Sequence, residues 1–75
     1  MASIAILIAT PKGQRLIAAY SEREAALMAE SIVRQLGPDA LPAPFWVQCA
    51  DPAITRRLMA YLSDLQAELI RLPIG

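Results

Sequence analysis

Cys49 is the one soft nucleophile in this 75-residue chain, and the chain has no histidine. It stands just before Asp51-Pro52, a helix-start signature, and a helix N-terminus can lower a thiol pKa. Nucleophilic catalysis would also need a base beside the sulfur. None is at hand, and Asp51 competes for the same free amides. Alternation places Cys49 on one face with Phe45 and Val47, so a structural, core-facing cysteine is expected. One cysteine also excludes an internal disulfide and a cysteine cluster for zinc or iron–sulfur.

The carboxylates do not form a catalytic or metal-binding pair. Glu22 and Glu24 belong to a helix start, where negative charge offsets the helix dipole. Asp64 and Glu68 lie one helical turn apart on a stripe shared with Arg57 and Arg71, which is the pattern of a solvated face. Thr10-Pro11-Lys12-Gly13 places a lysine and a glycine after an apolar run, but the second glycine and the Lys-Ser/Thr pair of a phosphate loop are missing. No cofactor or metal is implied, and the chain is expected not to be an enzyme.

The basic residues are the remaining chemistry. Lys12 and Arg15 flank a turn, Arg56 and Arg57 open a helix, and Trp46 could stack on a base. After dimerisation these side chains would make a nucleic-acid-binding regulator. Against that reading, seven basic and seven acidic residues give a formal net charge of zero, so no long-range field draws the chain to a polyanion. Adjacent arginines also diverge by about 100° on a helix.

The elements that position these residues are legible from periodicity and turn chemistry. Ile4, Ile6 and Ile8 alternate with Ala5, Leu7 and Ala9, as in a strand. Pro11 presets a turn and Gly13 can take positive φ, so Arg15–Tyr20 reads as the return strand of a hairpin. A helix over 14–20 is the competing reading. Ser21-Glu22-Arg23-Glu24 is a capping box, and a helix that starts there cannot run through it. Its apolar face is Ala25, Met28, Ala29, Ile32, Val33 and Leu36. Gly37 and Pro38 end it. A proline-rich loop to Pro44 precedes a short strand, Phe45–Cys49. Asp51 caps a second helix with Pro52 at its first position. Ile54, Leu58, Tyr61, Leu62, Leu65, Leu69 and Leu72 line one stripe of that helix. Over 67–74 the alternation of Ile70, Leu72 and Ile74 leaves a strand as the alternative.

The expected architecture is a single α/β domain of the two-layer α+β kind over residues 1–75. Its order is ββαβα, with a small three-stranded mixed sheet and two helices packed on one face. The first strand sits between the other two, and a crossover makes those two parallel.

That arrangement leaves one sheet face uncovered, yet the first strand is apolar on both sides. Leu7 and Trp46 then face outward, with either Leu16 or Ile17 beside them, where a half-exposed antiparallel sheet normally carries polar residues. Behind the core stripe of the second helix lie Met59 and Ile70, beside small residues that suit helix packing. Contiguous exposed apolar surface marks interaction sites. The functional expectation is a small adaptor, regulator or inhibitor that binds a partner protein or forms a homodimer through Leu7, Leu16, Trp46, Met59 and Ile70. Charges interrupt every long apolar run, so no membrane span is expected. A cytoplasmic, reducing setting fits the single cysteine. The alanine-rich, arginine-over-lysine composition suggests a bacterial or phage source.

Overall fold

The computed structural model describes residues 3–71. Strand β1 (Ile4–Thr10) turns through Pro11-Lys12 into β2 (Gly13–Ala19). Gly13 sits at φ +122, a region that glycine enters at little cost. The Thr10 hydroxyl locks the turn: it accepts from the Lys12 N–H at 3.2 Å and donates to the Gly13 carbonyl at 2.6 Å. The segment after the turn is therefore a strand and not a helix.

Helix α1 (Glu22–Gln35) begins where the capping box predicts. The Ser21 hydroxyl accepts from the Glu24 N–H at 3.1 Å. The return bond differs from expectation, because the Glu24 carboxylate accepts from the Tyr20 N–H at 2.8 Å and not from Ser21. The box thus clamps the end of β2 onto the first turn of α1. At the other end Leu36 is the C-cap, donating to the Val33 carbonyl at 3.1 Å. Gly37 does not take positive φ. The chain enters a single 3-10 turn, Pro38–Ala40, instead of a left-handed glycine cap.

Strand β3 (Phe45–Cys49) and helix α2 (Pro52–Arg71) complete the order. Asp51 caps α2 as expected: its carboxylate accepts from the Ala53 N–H at 2.9 Å and its carbonyl from the Thr55 N–H at 3.1 Å. The helix continues through Ile70 to Arg71, which excludes a strand over 67–71; Leu72 and the rest of the alternative strand lie outside the described residues.

The sheet order is β2-β1-β3, and β1 is antiparallel to both neighbours. β2 and β3 run in the same direction, as the crossover requires, but they never touch. The expectation of a mixed sheet is corrected on this point: every hydrogen-bonded pair is antiparallel. The arrangement is a small two-layer α+β fold, with α1 packed on β2 and β1 and α2 packed on β3.

The register sorts side chains by face. Ile6 opposes Ile17 and Val47, Ile4 opposes Ala19 and Cys49, and Ile8 opposes Phe45. These rows point at the helices and meet Ala25, Ala29 and Val33 of α1 and Leu58, Leu62 and Leu65 of α2. α1 contributes mainly small side chains to this core and α2 leucines. Met28 and Tyr61, expected in the core, each keep more than a third of their surface exposed. Both lie at the flanks of their helical stripes, where a neighbouring element covers one side only.

Candidate interaction surface

The outward rows of the sheet follow from the same register. Leu16 on β2, Leu7 on β1 and Trp46 on β3 form one row straight across the three strands. Leu16 is 70% exposed and Trp46 55% exposed, with Leu7 half-buried between them. The row on one side is Ala18, Ala5 and Gln48, and on the other Gln14 and Ala9. No outward residue of the three strands carries a charge. A ridge of large apolar side chains therefore crosses the sheet between lower, mostly alanine rows. Both helices lie on the opposite face.

Trp46 also belongs to a second feature. Met59, Ser63, Ala67 and Ile70 occupy the outer flank of α2, and with Trp46, Pro42 and Pro44 they bound a groove of about 640 Å³. Met59 and Ile70 are each roughly half exposed. The sheet-face residues and the helix residues anticipated from the sequence thus meet at Trp46. The groove's other wall is held by a contact that sequence reading missed. Gln66, 3% exposed, faces the Pro42–Pro44 segment from α2. Its side-chain carbonyl accepts from the Ala43 N–H, and its amide donates to the Ala43 carbonyl at 3.2 Å. The available signal was a glutamine one helical turn after Leu62, inside an otherwise apolar stripe.

The basic residues do not converge. Lys12 and Arg15 stand at the hairpin end of the sheet, and Arg15 projects from the face opposite Leu16. Arg56 borders Cys49, Ala50 and Pro52 at the other end, about 20 Å away along a seven-residue strand. Arg57 makes a bidentate ion pair with Glu22 of α1, both nitrogen–oxygen distances being 2.8 Å. The Lys12 N–H is occupied by Thr10, so the turn presents no open amide cradle there. Cys49 faces the core as alternation predicts but is half-buried at the sheet margin. Among the described residues no group of histidine, cysteine and acidic side chains could hold a metal ion, and no helix is long and apolar enough to cross a membrane.

The Glu22–Arg57 pair spans a shallow cleft between the helices, bordered by Ala26 and Tyr61. Hydrogen bonding from the guanidinium holds the Glu22 carboxyl below its usual range, with the nearby positive charge adding to the effect. Burial, followed by the Glu30 carboxylate, pushes the Tyr61 phenol upward. A carboxyl with a lowered native pKa stabilises the fold above its unfolded value of about 4.3. That contribution disappears as pH falls through the lowered value. Wild type and Glu22→Gln, compared by urea unfolding at decreasing pH, are expected to converge in stability in acid. A gap that stays constant to strongly acidic pH would show that the pair has no linkage to folding.

Comparison of this chain with protein-family models, with curated proteins and with solved structures finds no match. The functional reading therefore rests on the surface itself.

Proposed function

We propose that this chain is a non-enzymatic protein–protein interaction module, an adaptor, regulator or inhibitor in a cytoplasmic setting, that self-associates through its uncovered sheet face. One observation carries the reading: the Leu16–Leu7–Trp46 ridge crosses a face with no outward charge and no covering helix. Two copies related by a two-fold axis can seat the ridge of one against the alanine row of the other without bringing like charges together. Trp46 is the natural anchor, since aromatic residues dominate the buried centres of interfaces. The dispersed basic residues and zero net charge favour a protein partner over a nucleic acid.

Sedimentation equilibrium tests the reading. The wild-type chain is expected to dimerise with concentration, and Leu16→Lys to shift it toward monomer. Burying a leucine contributes about 1.5–3 kcal/mol, and a two-fold dimer loses it from both copies, so Kd should weaken by at least about 100-fold. A wild-type chain that stays monomeric at the highest attainable concentration overturns self-association.

A further inference from the structure

We propose that the open edge of β3 accepts a fourth strand: an extended segment of a partner protein, with apolar side chains at alternate positions and a single charge, an acidic residue at one end. This site shares Trp46 with the sheet face, but it is built on the edge of β3 and does not depend on self-association.

The main chain of β3 is aimed for it. The Ala9 N–H donates to the Pro44 carbonyl at 2.9 Å. Antiparallel alternation then turns the peptide groups of Trp46 and Gln48 toward β1 and those of Phe45, Val47 and Cys49 outward. β1 is the only strand beside β3 among the described residues. A row of donors and acceptors along an edge is the template for strand addition.

The two layers also differ in width. Two packed helices occupy about 20 Å, given diameters near 10 Å. Three strands at their usual spacing span about 14 Å. The difference is roughly one strand. Since α1 packs on β2 and β1 and α2 on β3, the unfilled space lies under the outer flank of α2. The groove of about 640 Å³ lies there, and a second recess bordered by Cys49, Met59 and Arg56 continues it.

The lining selects the occupant. Trp46, Met59 and Ile70 are apolar, and Ser63 and Ala67 are small enough for a backbone to come close. No charged residue borders the larger groove, so a charged side chain lodged there would be desolvated without a partner. Exposed Arg56 at the far end supplies the one complementary charge, for an acidic residue that follows the apolar run. A second copy does not fit this edge. Pairing β3 with β3 would bring the two α2 axes about 5 Å apart, against the 8–10 Å that packed helices need.

The test selects a phage-displayed library of random linear octapeptides on the full chain and resynthesises the enriched peptides. Sequences alternating in apolar residues and ending in an acid are expected. They should shift the amide resonances of Phe45, Val47 and Cys49 and slow hydrogen exchange at Val47. Met59→Lys, or backbone N-methylation of the peptide on its pairing edge, should weaken binding at least tenfold, while Leu16→Lys leaves it unchanged. No enrichment, equal binding by the N-methylated peptide or by Met59→Lys, or shifts confined to Leu16 and Ala18 overturns the proposal. Because Leu16→Lys breaks the proposed dimer alone and Met59→Lys the proposed strand site alone, failure of one reading is separable from failure of the other.

Discussion

Ile6→Ala is expected to lower the unfolding free energy by about 2–5 kcal/mol, the usual cost of truncating a fully buried aliphatic side chain. Leu16→Ala, on the neighbouring strand, should cost no more than about 0.5 kcal/mol, as exposed substitutions do. The contrast follows from the faces on which the two residues lie. Ile6 is 0% exposed and packs between Ile17 and Val47 on the helix-covered face, whereas Leu16 looks outward beside Leu7. A domain of this length has about 4–11 kcal/mol of total stability, so Ile6→Ala removes a large share of it and leaves a marginal fold. Urea unfolding at low protein concentration reads both values. Dilution matters, because any dimer through the sheet face would add concentration-dependent stability that Leu16→Ala also removes. Similar losses for the two variants would mean that the outer row is structural, and the case for a contact surface would fall with it.

The same pair of residues shows why much of this fold was legible. Period-two alternation in β1 and β3 assigns each side chain to a face without knowledge of the partner strand. The hairpin, the capping box and the Asp51-Pro52 start are local chemistry, complete within a few residues. The order of strands followed once the crossover was placed. What stayed hidden was non-local. Glu22 and Arg57 are 35 residues apart, and Gln66 and Ala43 are 23 apart. Nothing local in the sequence names the partner of any of these four residues. The flank positions Met28 and Tyr61 were misplaced for a related reason, since the helical stripe gives the buried direction but not how far coverage extends to each side. For the candidate surface, Trp46 was legible from alternation, whereas on β2 alternation required only that one of Leu16 and Ile17 face outward, and the register and burial pick Leu16. The meeting of Trp46 with Met59 and Ile70 at one groove was not legible, because it depends on α2 packing on β3 and not on β1.

Gln66→Leu is the sharper test of the non-local part, and it is expected to destabilise the fold by about 2–4 kcal/mol although it adds apolar volume at a core-facing position. Gln66 is buried and occupied at both ends of its amide, accepting from the Ala43 N–H and donating to the Ala43 carbonyl. Ala43 is itself buried. Leucine has a similar volume and would leave both main-chain groups of Ala43 without partners, and each buried orphan costs about 1–3 kcal/mol. The gain in apolar burial offsets part of this. The two bonds imitate a short strand pairing between a side chain and the loop, and they tie Pro42–Pro44 to α2. Loss of the tie should therefore be felt beyond global stability: amide exchange at Ala43 should accelerate, and the groove wall beside Trp46 should loosen. Gln66→Glu separates the contributions. Its carboxylate can still accept from the Ala43 N–H but cannot donate to the carbonyl, and burying its charge makes the variant less stable than wild type at neutral pH. Protonation restores a donor, so the deficit should shrink as pH falls. A Gln66→Leu variant as stable as wild type, with unchanged exchange at Ala43, would show that the loop is held by its prolines and packing alone.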